Sequence, residues 1–234
     1  MGSITDNYRR VWERIERAAE RSGRSASEVT VIAVTKGVPV DRIREAAESG
    51  LRVFGENYVQ EAKAKVEACG KGVSWHMIGH VQRNKARQVV HLFEMIHTLD
   101  SRGLAEILNR HAQEAGKRLR VLVQVNISGE PSKFGVSPEE VMPLVEDIVG
   151  SRKCLCFCGL MTMAPFFAEP GLARPYFQAL RRLGDSIAES LGSELSGRME
   201  LSMGMSGDFE VAVEEGATMV RIGTALFGER SYRK

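Results

Sequence analysis

Apolar runs of strand character alternate with helix-patterned segments along nearly the whole chain, and this alternation constrains the fold more than any other feature of the sequence. The first run is 29–35 (VTVIAVT), rich in β-branched residues. It is followed by a helix over 41–49 with Gly50 at its C-terminal cap. The same pairing recurs as 52–55 (RVFG) with 57–69, closed by Gly70, as 74–78 (SWHMI) with 82–91, and as 95–99 (MIHTL) with 101–115, closed by Gly116. Then come 120–127 (RVLVQVNI) with a helix to about 149, 154–163 with 174–191, 198–203 with 208–215, and 219–222 with a short helix after Thr224. Ser137-Pro138-Glu139-Glu140 supplies a helix start: a capping serine, proline at the first position and glutamate three residues after the cap.

Strands that are apolar on both faces and alternate with helices belong to parallel sheets. Eight such units in 234 residues predict a single (β/α)8 TIM-type barrel, one α/β domain spanning 1–234. Residues 1–24 add a helix packed on the barrel, with Val11, Ile15 and Ala18 or Ala19 inward and Gly23 as its stop. An open doubly wound sheet is the rival fold. It would call for a glycine-rich fingerprint after strand one, where Thr35-Lys36-Gly37 stands instead.

Composition narrows the function classes. Lys plus Arg is 32 against 30 Asp plus Glu, a net charge of +2, which argues against a dedicated nucleic-acid binder. The apolar stretch 154–168 is interrupted by Gly159, Thr162 and Pro165 and is too short to span a membrane. The first ten residues have no apolar core of a secretory signal, so the cytoplasm is expected. Cys154, Cys156 and Cys158 alternate along strand six; on a strand they share one face, as small buried hydrophobes rather than a metal site.

In barrels of this kind functional groups gather where strands end and βα loops begin. Strand one delivers Lys36 there, directly after an apolar run. Desolvation lowers a lysine's pKa, and a neutral amine attacks aldehydes, so Lys36 is either a Schiff-base nucleophile or a side chain that snorkels to water. Strands seven and eight end in 202–208 (SMGMSGD) and 221–224 (RIGT). Glycine backbone, hydroxyls and helix starts at these two positions suit a phosphate. Strand eight neighbours strand one once the barrel closes. A phosphate cup beside a lysine is what a phosphorylated aldehyde requires, and ordinary glycine turns are the plainer reading. His76 and His80 lack a third metal ligand at useful spacing and are read as structural. Ser206, in GMSGD, does not fit a hydrolase nucleophile elbow.

Several of these segments together resemble one family. AVTK (33–36), FGENYVQE (54–61), WHMIG-x-VQ-x-NK (75–85), Asp100-Ser101, K-x-G (133–135), GLMTM (159–163), SMGMSGDFE-x-A (202–212) and RIGTALFG (221–228) are similar to the pyridoxal phosphate homeostasis protein family, related to the N-terminal domain of alanine racemase. The resemblance implies the barrel domain of the type III PLP fold, holding pyridoxal 5′-phosphate (PLP). It implies an internal aldimine on Lys36 and Arg221 facing the pyridine nitrogen, which keeps that nitrogen unprotonated. Ser202, Gly223 and Thr224 would hold the phosphate with Ser206 or its loop, and Asn57 would line the ring pocket. Family members are thought to buffer or deliver PLP, with PLP-dependent apo-enzymes as recipients and no settled catalytic activity. In 97–101 (HTLDS), Thr98 and Leu99 depart from the usual pattern.

Two enzymatic alternatives stand beside the carrier. One is a PLP-dependent amino-acid racemase or another PLP enzyme on a small substrate; a two-base racemase needs an acid/base group on the opposite cofactor face, a tyrosine from a dimer partner in alanine racemases, beside an additional β domain. The chain ends at Lys234, and of its tyrosines only Tyr58 follows a strand exit, so a monomeric carrier is expected. The other alternative is a Schiff-base aldolase whose cup holds substrate phosphate.

Overall fold

The structure, a computed structural model, describes residues 3–195 and 197–229. The strands are β1 (Thr30–Val34), β2 (Val53–Glu56), β3 (Ser74–Met77), β4 (Met95–Leu99), β5 (Leu119–Gln124), β6 (Leu155–Met161), β7 (Glu200–Met205) and β8 (Met219–Ile222). They are parallel and close into one barrel in chain order. Around it lie α2 (Val40–Glu48), α3 (Val59–Cys69), α4 (Ala86–Leu92), α5 (Arg102–Glu114), α6 (Pro138–Ser151), α7 (Arg174–Leu191), α8 (Phe209–Glu214) and α9 (Thr224–Phe227), preceded by α1 (Ile4–Arg21). The alternation thus produces the predicted (β/α)8 barrel. No described helix is long and apolar enough to cross a membrane.

The barrel has two apolar layers. The larger lies between strands and helices and takes in Phe54, Phe93, Phe177 and Phe209, all fully buried. The smaller fills the barrel with Ile32, Met95, Leu122, Cys158, Met161 and Met219. Full burial of one large apolar side chain contributes roughly 1.5–3 kcal/mol, so these layers dominate the folding energy.

Closure joins the two ends of the chain. β1 pairs with β8, setting Ile32 opposite Arg221 and Ala33 opposite Ile222. α1 lies over this seam with Val11, Ile15, Ala18 and Ala19 buried, and it packs on α8 and α9. Asn7 Nδ2 donates to the Leu226 carbonyl at 2.8 Å, and Arg24 donates to the carbonyls of Val213 and Ala217.

Several boundaries differ from expectation for physical reasons. β5 ends at Gln124, short of the apolar run's end, because the chain beyond pairs with its own loop: Asn126 N–H donates to Val136 O, and Val136 N–H to Gln124 O. α3 begins at Val59, since Asn57 and Tyr58 precede it and Tyr58 is extended (φ −129°, ψ 126°). Residues 83–85 form a 3-10 turn before α4. β7 runs to Met205, carrying its polar end further toward the rim. The three cysteines do not share a face: Cys154 precedes β6, its N–H held by Asn109, while Cys156 and Cys158 turn into the barrel.

Candidate functional site

The C-terminal ends of the strands frame two cavities. The first, about 460 Å³, is walled by Val34, Met205, Ser206, Gly207, Asp208, Arg221, Gly223 and Thr224, with Pro165, Phe166 and Phe167 on the far side. The second, about 480 Å³, is walled by Asn57, Tyr58, His80, Gln82, Lys85, Phe134 and Met163, among others. Both volumes suit a small molecule.

The first cavity is lined by the loops after β7 and β8, where the sequence led us to look for a phosphate. The Ser206 hydroxyl oxygen accepts from Gly223 N–H at 3.2 Å and Ala225 N–H at 3.3 Å. Two backbone donors converging on one oxygen is the arrangement a phosphate oxygen needs. The helix that follows has four residues, so its macrodipole contributes little; the direction of the N–H groups matters more.

Arg221 stands inside the barrel at the floor of this cavity, 4% exposed. Its Nη1 donates to Ser202 Oγ at 2.8 Å and its Nη2 to the Thr162 carbonyl at 2.9 Å. Burial draws its pKa down to about 10, opposed by the Asp208 carboxylate. The guanidinium therefore stays charged at neutral pH. Asp208, whose own pKa is raised by burial, also accepts the Met205 N–H at 2.6 Å.

Ser202, which the resemblance assigns to the phosphate, stands deeper than the other residues of that set. It is fully buried on β7 below the cup, and its hydroxyl is engaged by Arg221 and by His97 Nδ1 at 2.9 Å. Its hydroxyl thereby steadies the arginine. His97 Nε2 lies 3.0 Å from His76 Nδ1. Arg221 donates to Ser202, and the serine hydroxyl and the two neutral imidazoles continue the chain, each ring supplying one donor and one acceptor. Both imidazoles are held neutral by burial, His76 with a pKa of about 3. His97 was not anticipated from sequence; the signal was an imidazole in the middle of a fully buried strand.

Lys36 follows β1 in a turn, half-buried, two residues beyond Val34 of the first cavity. Its Nζ lies 5.0 Å from the centre of the Tyr58 ring, and Tyr58 is a wall of the second cavity. Lys36 is itself a wall of neither. Asn57 also belongs to the second cavity, and its Oδ1 is buried with no hydrogen-bond partner among the described residues. The structure thus gathers Arg221, Ser206, Gly223 and Thr224 around one cavity, sets Asn57 on the other and puts Lys36 beside Tyr58.

The histidines of the 75–85 segment have separate settings. His76 belongs to the buried chain, whereas His80 pairs with Asp100 at 3.4 Å and stacks on Phe134 with ring centres 4.1 Å apart. Gly79 is glycine because a Cβ there would stand 2.3 Å from the Asn57 carbonyl oxygen. Gly79→Ala is expected to displace Asn57 and cost about 2 kcal/mol of stability, measurable by urea denaturation.

The alanine racemase N-terminal domain family matches residues 6–231. The pyridoxal phosphate homeostasis protein of Aquifex aeolicus is 43% identical over 224 residues, covering 95% of this chain and 96% of that protein. The human protein of the same name is 42% identical, covering 97% of this chain and 86% of its own length. Among solved structures, PipY of Synechococcus elongatus with PLP bound superposes with a TM-score of 0.79 at 37% identity, covering 92% of this chain and all (100%) of that one. The chain belongs to the pyridoxal phosphate homeostasis protein family, within the wider group built on the alanine racemase N-terminal domain.

Proposed function

We propose that this chain binds PLP at the mouth of its barrel, joined to Lys36, and buffers it in the cytoplasm or delivers it to PLP-dependent apo-enzymes. When bound, PLP supplies an aldehyde that condenses with amines and a ring that can withdraw electrons. The residues fit its three polar parts. The N–H groups of Gly223 and Ala225, with Ser206 and Thr224, suit the phosphate. Arg221 suits the pyridine nitrogen, and Lys36 is the amine at the rim. The relatives' name and the PLP in PipY support the same reading.

Arg221 is the observation that carries the proposal. A buried guanidinium held by Ser202 and Thr162 can only donate, so the ring nitrogen facing it stays an acceptor without a proton. Such a ring is a weak electron sink, which favours holding the cofactor over turning substrate over.

The surface around the site supports delivery to another protein. Tyr58, Phe134, Met163, Phe166 and Met205 are the large apolar side chains exposed at these two cavities; among the described residues only Leu172 is a further one. Clustered exposed apolar groups mark contact surfaces. All four cysteines are free, in keeping with a reducing compartment.

The test combines loading and transfer. Purified protein incubated with PLP and reduced with borohydride is expected to gain one reduced PLP at Lys36. Loaded protein should reactivate a PLP-dependent apo-enzyme faster than spontaneous release allows, and should not racemise L-alanine. Robust racemisation that disappears in Lys36→Ala would replace the carrier by the racemase. Failure to retain PLP, with capture of a phosphorylated ketone substrate instead, would favour the aldolase.

A further inference from the structure

The residues on either side of Lys36 are tied to a buried ionic cluster that the PLP reading does not use. Thr35 continues the β1–β2 ladder through its N–H to Gly55 O at 2.9 Å, and its hydroxyl donates to Glu56 Oε1 at 2.6 Å. The Thr35 carbonyl accepts Val38 N–H at 2.8 Å, closing a β-turn with Lys36 second and Gly37 third. Gly37 has φ +69°, which glycine takes without strain. The same carbonyl accepts Lys65 Nζ at 2.7 Å, and Gly37 N–H donates to Glu61 Oε2 at 2.8 Å.

One ammonium unites these contacts. Lys65 Nζ reaches Thr35 O, Glu56 Oε1 at 2.6 Å and Glu61 Oε2 at 3.0 Å, so all three of its protons have acceptors. Glu61 and Lys65 are one turn apart on α3, and Glu56 ends β2. The Glu56 side chain is fully buried and that of Lys65 is 9% exposed. Buried ion pairs are costly relative to apolar packing. Apolar side chains in these places would fill the space but could not fix the direction of a carbonyl and an N–H.

We propose that Glu56, Glu61 and Lys65 are positioning residues for Lys36: they lock the turn that carries it and so set where its amine stands. Thr35 and Gly37 are the points of attachment, one on each side of the lysine. Its hydrogen bonds reach the turn through Thr35 and Gly37, and the Glu61 carboxylate also feels the Lys36 ammonium through space. This rests on the reading that Lys36 captures PLP.

The test uses Lys65→Met, which keeps the stem and removes the charge, with three readouts. The rate of PLP capture is followed by absorbance and by borohydride-trapped mass at Lys36. Affinity for 4′-deoxypyridoxine 5′-phosphate, which lacks the aldehyde, reports on cup and ring site. Amide hydrogen exchange at Gly37 and Val38 reports on the turn. Capture is expected to slow about tenfold or more, as small misplacements of a reacting group do. Analogue affinity should stay within about twofold of wild type, and exchange at the two amides should rise. Capture at the wild-type rate overturns the proposal, and so does a parallel loss of analogue affinity, which would mark general damage. Should Lys65→Met fail to fold, Glu61→Gln, altering a side chain 37% exposed, carries the same test. If wild-type protein captures no PLP at Lys36, the PLP reading fails while the exchange readout still decides whether the cluster locks the turn.

Discussion

Lys36→Ala is expected to abolish covalent loading: after incubation with PLP and borohydride, no residue gains a stoichiometric adduct. The reason is local. Lys36 is the amine presented on the β1–β2 side of the rim, with Nζ 5.0 Å from the Tyr58 ring. Lys65 is buried, its three protons all engaged, and cannot replace it. The cup and Arg221 lie on β7, β8 and their loops and do not depend on the lysine side chain. Non-covalent affinity for 4′-deoxypyridoxine 5′-phosphate should therefore remain within about twofold of wild type, by equilibrium dialysis. A full-yield adduct elsewhere would move the reactive amine; loss of analogue binding would mean that the lysine supports the pocket itself.

Acid is expected to unfold this protein through its barrel interior. His76 has its pKa lowered from 6.5 to about 3 by burial, and that of His97 is lowered well below 6.5 by burial, by His76 and by Arg221. The unfolded chain takes up protons below pH 6.5 that the folded chain refuses, so stability falls as pH falls through that window. For His76 alone the loss from pH 7 to pH 4 is about 3 kcal/mol, and His97 adds a loss of the same sign. Domain stabilities are roughly 5–15 kcal/mol, so this is a large share. Glu56, Asp100 and Asp208 have pKa values raised by burial and act in the opposite sense, favouring the fold as acid protonates them. His76→Gln separates the contributions. Urea denaturation at several pH values between 6 and 4 should give a stability slope shallower by about one proton, about 1.4 kcal/mol per pH unit. An unchanged slope would remove His76 as the cause.

What could be foreseen from sequence follows from how local each signal is. Barrel strands buried on both sides are continuous apolar runs, so β4 and β8 and the helix α7 have the boundaries expected of them. Lys36 and the glycine-rich exits of β7 and β8 were legible because the rim of a parallel barrel is where strand ends collect. The depth of Ser202 was not legible, because sequence gives a residue's position along a strand but not its depth; its hydroxyl turns inward to Arg221. Cys154 fell outside β6 because its N–H is taken by Asn109 on α5, a contact between residues 45 apart. The Glu56–Lys65 pair was invisible for a similar reason. Each residue reads singly as an ordinary solvent-facing charge, and only the packing of α3 against β2 brings them together without water.

The seam between the first and last strands also bears on the order of events during synthesis. On the β8 side, Thr30 through Ala33 pair with Met219 through Ile222, so that half of the lysine's strand has no partner until the end of the chain is made. Domains emerge from the ribosome N-terminal end first. A nascent chain lacking its final stretch would carry a reactive amine with no grip on a phosphorylated vitamin. On the function proposed above, cofactor capture waits on the completed ring, and a truncated translation product would compete poorly for the pool.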